Sequence, residues 1–203
     1  MDEAKKPWNP YTPQQAAAAL EGAGVRWWIA GGYAIELALG SPQRVHSDVD
    51  ILVLRRDHVA MREVLADWDC WASDPPGTLR AWPLGETLGA HVHDIWCRNS
   101  PEDSWRMQVM IDESEGDRWV SRRDAGVTLP LDELTWHTPD GLPCVALHMQ
   151  LYYKAKGMRP RDEADFAAVL EAGLEFDVGW LIAAIERSYT KDHPWLDRLR
   201  QSG

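Results

Sequence analysis

Residues 28–50, WIAGGYAIELALGSPQRVHSDVD, contain the pattern that decides the fold. A β-type run leads into Gly31-Gly32, a helical pattern covers residues 33–39, and a second β-type run covers residues 47–54. Gly40 follows the helical pattern, as is typical of a helix end. The order of strand, Gly-Gly turn, helix and strand predicts an α/β domain with the turn at one edge of its sheet.

Two aspartates at the start of the second β-type run carry the strongest chemical signal. Alternate side chains of a strand share a face, so Asp48 and Asp50 are expected to point the same way, while Val49, Ile51 and Val53 face the core. Adjacent carboxylates repel each other unless a cation lies between them, and Mg²⁺ prefers such hard oxygen ligands. A polar strand end facing solvent is the alternative, but the apolar strand and the upstream Gly-Gly turn favour a metal site.

The Gly31-Gly32 pair is a candidate phosphate-binding turn. Without Cβ atoms the backbone can approach a phosphate closely, and the N-terminus of the following helix favours negative charge. The pair lacks the GxxxxGK[ST] and GxGxxG patterns of other nucleotide-binding loops, and a simple tight turn is the alternative.

A third carboxylate would come from a neighbouring strand, and residues 91–98 and 105–112 predict a hairpin that could supply it. The candidates are Asp94 and Asp112. Asp112 ends an apolar run, as an acid at the edge of a cleft would, and is therefore preferred. Asp94 stays open as the alternative.

The remaining pattern divides the chain into an α/β part and a helical part. Thr12-Pro13-Gln14-Gln15 predicts a capped helix start, whereas residues 113–144 show only a weak pattern. Further helices are expected over residues 146–156, 161–172 and 178–188, with a short helical tail from 194. The predicted organisation is an α/β domain over residues 1–140 and a helical C-terminal subdomain over residues 141–203, with a cleft between them.

Net charge, hydropathy and cysteine content indicate which kinds of partner the protein has and in which compartment it works. The 203 residues carry a formal net charge of −11, which would repel a long nucleic acid and favours a cationic or neutral small molecule, although it can equally serve solubility alone. No apolar run approaches the roughly 20 residues of a membrane-spanning helix. Residues 1–10 show no secretory signal, and the three widely spaced cysteines are expected to be reduced. These observations predict a cytoplasmic protein without a membrane partner.

The motifs together resemble those of the aminoglycoside and lincosamide nucleotidyltransferases, which belong to the DNA polymerase β-like superfamily. The similarity is specific over residues 26–54 and continues more loosely to residue 172. Tyr33 is a departure, because the wider superfamily often has serine after the Gly-Gly pair. The resemblance implies a nucleotidyltransferase-type mixed sheet with flanking helices, followed by a helical C-terminal part.

The resemblance also implies roles for single residues. Asp48, Asp50 and Asp112 would bind two Mg²⁺ ions, or Asp112 would act as the base. Contacts to the nucleoside triphosphate would fall on Gly31, Gly32, Arg44, His46 and Lys154, with Lys156 as the alternative to Lys154. Asp162 and Asp165, in contrast, are expected to serve the start of the next helix.

The function implied by the resemblance is transfer of a nucleoside monophosphate, with ATP as the expected co-substrate, to a hydroxyl of a small molecule. A cationic acceptor such as an aminoglycoside-like antibiotic is one hypothesis, motivated by the net charge of −11 and the acidic run over residues 112–117. A non-catalytic or regulatory nucleotide-binding protein of the same fold, of a toxin–antitoxin or sensor type, is the alternative. The intact Asp-x-Asp motif favours the enzyme.

Overall fold

A large mixed sheet forms the centre of the computed structural model, which describes residues 3–202. The predictions for the polar N-terminus and the helical C-terminal part therefore include three residues, 1, 2 and 203, that lie outside the described chain. The strands within it are β1 (Trp27–Ala30), β2 (Asp50–Leu54), β3 (Asp69–Ser73), β4 (Leu79–Ala81), β5 (Asp94–Arg98), β6 (Met107–Glu115), β7 (Arg118–Val120), β8 (Thr128–Pro130), β9 (Thr135–His137) and β10 (Pro143–Val145).

Helices cover both faces of this sheet. They are α1 (Pro13–Ala19), α2 (Gly31–Leu39), α3 (His58–Val64), α4 (Leu147–Ala155), α5 (Pro160–Glu171), α6 (Val178–Ser188) and α7 (Trp195–Ser202), with short 3₁₀ turns at Glu3–Lys5 and Arg55–Asp57. None of the helices between residues 3 and 202 is long and apolar enough to cross a bilayer. The predicted fold class, a mixed sheet with flanking helices and a helical C-terminal part, is confirmed.

The strand order is β4-β3-β5-β6-β2-β1-β10-β9, and β7 and β8 extend from the far end of β6. β2 pairs with β6 in parallel, and β1 pairs with β10 in parallel, whereas β1–β2 and β5–β6 are antiparallel. The parallel register sets Asp50 beside Gln108 and Leu54 beside Asp112. Asp50 and Asp112 therefore lie on neighbouring central strands.

Side-chain alternation separates two cores, one on each face of the sheet. Ile51 and Val53 pack with Val49 and with residues of α1 and α3, as the sequence predicts. Leu52 and Leu54 face the opposite side, where they pack against α2, α4 and the later helices. Asp50 shares the face of Leu52, so the site lies between the sheet and the helical part.

Local sequence signals explain several element ends. Thr12 caps α1 through a capping box with Gln15, and Gly40 ends α2 with φ +68° in the left-handed region. The second predicted strand begins at Asp50 rather than at residue 47, so Asp48 lies in the preceding loop. The weakly patterned residues 113–144 contain the end of β6, the strands β7, β8 and β9, and the start of β10. The latter four strands have three residues each, too few for a clear period in the sequence.

The boundary predicted near residue 140 falls just before β10, which pairs with β1 inside the sheet. The helices α4 to α7 all follow this strand. The core on their side of the sheet contains residues from both parts of the chain, such as Trp28 and Leu52 with Leu151 and Leu181. The division into two parts stays a prediction.

Candidate active site

A cavity of about 390 Å³ opens on the sheet face that carries Asp50, against α2, α4 and α5. Most of the residues predicted for the site line it. The lining consists of Gly31, Gly32, Arg44, Asp48, Asp50, Leu52, Asp94, Gln108, Met110, Asp112, Arg122, Arg123, Gln150, Tyr153, Lys154, Arg159 and Arg161.

Asp50 and Asp48 lie together at the start of β2. The pKa of Asp50 is raised to about 7, first because the carboxylate is removed from water and second because Asp48 carries a like charge nearby. Asp94 adds to this rise, while Lys154 and Arg161 oppose it. A bound cation would therefore stabilise the ionised form of this carboxylate.

The donor set fits a divalent cation that is shared with a substrate. Within residues 3–202, the carboxylates of Asp48 and Asp50 accept no hydrogen bond, so their oxygens are available as ligands. No three His, Cys, Asp or Glu side chains of the described chain converge closely enough to hold a metal by themselves. Mg²⁺ commonly takes one or two carboxylates and completes its shell with substrate phosphates and water, which matches this pair.

The two candidates for the third carboxylate lie at different places in the cavity. Asp94 begins β5, accepts a hydrogen bond of 2.8 Å from Gln108 Nε2, and contributes to the electrostatic field at Asp50. Asp112 is 2 % exposed and accepts hydrogen bonds from Trp119 Nε1 at 2.6 Å and from the Tyr153 hydroxyl. The charge of Asp94 therefore acts on Asp50, whereas Asp112 belongs to a buried hydrogen-bond network with Trp119 and Tyr153.

Burial also perturbs Asp112. Desolvation raises its pKa to about 6, although the Trp119 hydrogen bond and the charges of Arg122 and Arg123 oppose the rise. Asp112 does not end its strand, because β6 continues to Glu115. The strand predicted to end at residue 112 is therefore longer than expected, and the Asp112 carboxylate lines the cavity from within it.

The Gly-Gly pair stands where other groups leave no room for a side chain. Gly31 has φ +66°, and a Cβ there would overlap the Asp50 carboxylate. A Cβ on Gly32 would overlap the Arg44 guanidinium and lie 2.7 Å from the His46 ring. The pair opens α2, and Gln150 Oε1 accepts a hydrogen bond of 2.8 Å from the Gly31 amide. These contacts explain both glycines before any ligand is considered.

Arg44 and His46 occupy the loop between α2 and β2, but only Arg44 lines the cavity. The His46 ring lies behind it, 2.9 Å from Glu36 Oε2 and stacked on Tyr33 at a centroid distance of 3.9 Å. The tyrosine that departs from the superfamily pattern thus supports this histidine.

Lys154 is buried and already has acidic partners. Its ammonium group lies 2.6 Å from Asp165 Oδ2 and 3.5 Å from Asp162 Oδ1. Asp162 also accepts a hydrogen bond of 3.1 Å from the Arg159 amide at the start of α5, as expected for a capping residue. This network joins α4 to α5 and leaves Lys154 less free for phosphate than the sequence suggests.

Several cavity residues have no signal in the local sequence pattern. They come from β6, from the loop after β7, from α4, and from the start of α5 with the residue before it: Gln108, Arg122, Arg123, Gln150, Tyr153, Arg159 and Arg161. The Arg122-Arg123 pair is visible in the sequence but lies in the weakly patterned segment. Only the long-range packing brings it beside Asp112.

Comparison with known proteins connects this geometry to a family. The family model described as aminoglycoside-2''-adenylyltransferase matches residues 14–169. The chain belongs to this family. The resemblance seen in the motifs is thereby confirmed, and no curated protein matches the chain in sequence.

Solved structures related to this aminoglycoside-2''-adenylyltransferase family member share its fold. The lincomycin-bound lincosamide antibiotic adenylyltransferase LnuA is 16 % identical, with a TM-score of 0.54 over 79 % of this chain and 98 % of the other. ANT(2'')-Ia in complex with adenylyl-2''-tobramycin is also 16 % identical, with a TM-score of 0.50 over 86 % of this chain and 95 % of the other. At these identities the likeness establishes the fold, and the family places the chain among antibiotic adenylyltransferases.

Proposed function

We propose that this chain is a metal-dependent nucleotidyltransferase that moves a nucleoside monophosphate, AMP from ATP, to a hydroxyl of a small molecule in the cytoplasm. The observation that carries the proposal is the pair of unpaired carboxylates, Asp48 and Asp50, beside the Gly31-Gly32 start of α2 in one cavity. Acids alone would repel a triphosphate, but basic side chains line the same cavity. The family membership supports the adenylyl group.

The chemistry is an in-line displacement at phosphorus. The acceptor oxygen forms a bond to the α-phosphorus, the bond from that phosphorus to the bridging oxygen breaks, and pyrophosphate leaves with the electron pair. Mg²⁺ held by Asp48 and Asp50 would neutralise charge on the phosphates, in one or two ions. The α2 N-terminus and the Arg44 and Arg161 guanidinium groups would orient the triphosphate tail.

A third carboxylate would complete the metal site or take the hydroxyl proton. The sequence favours Asp112, whose raised pKa of about 6 suits proton acceptance near neutral pH. The geometry favours Asp94 for the role beside the metal, because Gln108 pairs with Asp50 across β2 and β6 and donates its hydrogen bond to Asp94. We therefore propose Asp94 as the third carboxylate and retain Asp112 as the competing candidate.

The acceptor is proposed to be a hydroxylated small molecule, since lincomycin and tobramycin occur in the structures of the relatives. The cationic acceptor suggested by the net charge of −11 finds less support in the cavity, where six basic side chains accompany four acids. The acidic run over residues 112–117 is also not wholly available to a ligand, because Glu113 forms an ion pair with Arg55 at 2.8 Å.

The test is a pyrophosphate-release assay with ATP, Mg²⁺ and a panel of hydroxylated acceptors that includes lincomycin and tobramycin, with mass spectrometry of the products. We expect release that depends on the acceptor, and an acceptor mass increased by one AMP. The exposed Asp67 provides a control variant, Asp67→Asn, that should retain activity. Binding of an ATP analogue without any transfer would instead favour a regulatory nucleotide-binding protein.

A further inference from the structure

The basic side chains of the cavity form two groups. Arg161, Lys154 and Arg159 act on the carboxylates of Asp50 and Asp48 at the Gly-Gly end, where the Arg44 guanidinium also lies beside Gly32. Arg122 and Arg123 instead act on Asp112. In the first group Lys154 and Arg159 are closely paired with acids of α5, so Arg44 and Arg161 are its members that suit the triphosphate of the proposed reaction. The second group has no role in that reaction so far.

The strand register separates the two groups. Asp112 pairs with Leu54, which is four residues along β2 from Asp50. At a rise of about 3.3 Å per residue, the two ends of the cavity are about 13 Å apart along the strands. A nucleoside triphosphate and an acceptor can therefore occupy different ends.

Arg122 and Arg123 have free hydrogen-bond donors. In the described part of the chain, neither guanidinium group makes a hydrogen bond or an ion pair. The Arg123 guanidinium lies 5.4 Å from the ring centroids of both Tyr152 and Tyr153, and this cation–π contact positions the group without using its N–H donors. Lys154, in contrast, is already paired with Asp165.

Asp112, which lines this end of the cavity, does not cancel the charge of the two arginines. Asp112 is buried, and its Oδ2 atom already accepts hydrogen bonds from Trp119 and Tyr153. Glu113, the next acid along β6, pairs with Arg55 instead. Two guanidinium groups against one carboxylate leave this end of the cavity with an excess of positive charge.

We propose that Arg122 and Arg123 bind an anionic group, a carboxylate or a phosphate, on the acceptor molecule. The inference rests on the proposed function, because it assigns the acceptor of that reaction. The acceptor hydroxyl reaches the α-phosphorus at the Asp50 end, while the anionic group of the same molecule receives charge-assisted hydrogen bonds at the Asp112 end. An acceptor of about the length of a disaccharide spans the two ends.

The experiment compares acceptors that differ only in one charged group. Trehalose and its 6-phosphate, 6-carboxylate and 6-amino derivatives are assayed for pyrophosphate release with ATP and Mg²⁺, and their affinities are measured by calorimetry with and without a non-hydrolysable ATP analogue. The variant is Arg122→Gln, chosen because Arg122 is exposed and its loss should not disturb packing. The control is Arg118→Gln, an exposed arginine on β7 that does not line the cavity.

For the wild type we expect the 6-phosphate or the 6-carboxylate to bind at least tenfold more tightly than trehalose, and the 6-amino derivative to bind more weakly than either. Arg122→Gln should weaken the anionic probes by about ten- to a hundredfold, the loss typical of one charge-assisted hydrogen bond, and should leave trehalose unchanged. Arg118→Gln should change neither. The two anionic probes show which oxyanion the pair prefers.

Three results would overturn the inference. One is equal or tighter binding of the amino derivative, another is equal weakening of all probes by Arg122→Gln, and the third is a loss of affinity for the ATP analogue in that variant. The third would assign the arginines to the nucleotide. Failure of the wild type to bind the ATP analogue would contradict the proposed function, whereas binding of the analogue without preference for anionic probes would contradict only the acceptor assignment.

Discussion

Asp50, which is proposed to bind the metal, should also affect the pH dependence of the protein's stability. Its pKa of about 7 lies above the ordinary value of 3.8, so the folded protein binds more protons than the unfolded chain between pH 4 and 7. Stability contributed by this group is therefore lost as the pH rises through that window. A bound cation would reverse the loss by favouring the ionised form.

Asp50→Asn should accordingly abolish nucleotidyl transfer while preserving the fold. Without Mg²⁺, we expect the melting temperature of the variant to exceed that of the wild type increasingly as the pH rises from 4 to 7, because asparagine carries no charge to desolvate. Thermal melts over this pH range, paired with activity assays, measure both effects. Added Mg²⁺ should raise the wild-type melting temperature only; wild-type turnover in the folded variant would contradict the metal assignment.

Asp94 and Asp112 can be separated by matched substitutions. Asp94→Asn should lower kcat/KM by about a hundredfold or more, because it removes a charge that acts on the metal-binding pair. Asp112→Asn should cost less, since the amide oxygen can still accept the hydrogen bonds from Trp119 and Tyr153. Steady-state kinetics of both variants measure the two losses in kcat/KM. A larger loss in Asp112→Asn than in Asp94→Asn would assign the third carboxylate to Asp112.

At the scale of elements, the junction between β1 and α2 determines how the cavity closes. Gly31 and Gly32 have different neighbours: Gly31 lies against the Asp50 carboxylate, and Gly32 lies against the Arg44 and His46 side chains. Gly31 also has positive φ, whereas Gly32 does not. The same substitution should therefore have different consequences at the two positions.

Gly32→Val should weaken the binding of a triphosphate more than it lowers stability, because the Arg44 side chain can move away from the new methyl groups but then leaves the cavity wall. Gly31→Val should lower both strongly, because it adds backbone strain in the left-handed region and displaces Asp50. Calorimetric titration with an ATP analogue and thermal melts provide the two measurements. Unchanged affinity in Gly32→Val would reduce this glycine to a simple turn residue.

The helices α4 and α5 are joined by a buried ionic network centred on Lys154, which is 6 % exposed. Lys154→Gln should lower the free energy of unfolding by about 3 kcal/mol or more, since it leaves the buried Asp165 carboxylate without its close partner. Lys156→Gln is the matched control, because Lys156 is exposed and two residues away. Denaturant titration of both variants tests this; equal stability with a large rise in KM for ATP would show that Lys154 serves the phosphates instead.

At the scale of the whole molecule, the α/β part and the helical part share one sheet and one core. β10 follows the predicted boundary at residue 140 yet pairs with β1, and Trp28 and Leu52 pack in the same cluster as Leu151. A fragment of residues 1–140 would expose this apolar face and lose a neighbour of its central strand.

We therefore expect the fragment 1–140 not to fold cooperatively by itself. Circular dichroism melts of the fragment should lack the sharp transition of the full chain, and its amide protons should exchange rapidly. Mixing it with the fragment 141–203 should restore part of the structure if the shared core is responsible. A cooperative melt of 1–140 alone would instead support two independent domains.

The sequence by itself determined the local features of this protein. Capping bonds and side-chain periodicity act between residues close in the chain, and they set the α1 cap, the Gly-Gly turn and the last three helices. The family could be identified because its signature lies within one such stretch, residues 26–54. Local rules were enough wherever the partners are near in sequence.

The tertiary structure alone decided what the cavity contains. The parallel pairing of β2 with β6 sets Asp112 four residues away from the level of Asp50, and no local pattern specifies that register. The pairing of Lys154 with Asp162 and Asp165 depends on how α4 packs against α5. The approach of Arg122 and Arg123 to Asp112 likewise depends on the packing of a weakly patterned segment. Burial and charge neighbours act through space, so the ionisation of these groups follows from packing rather than from sequence order.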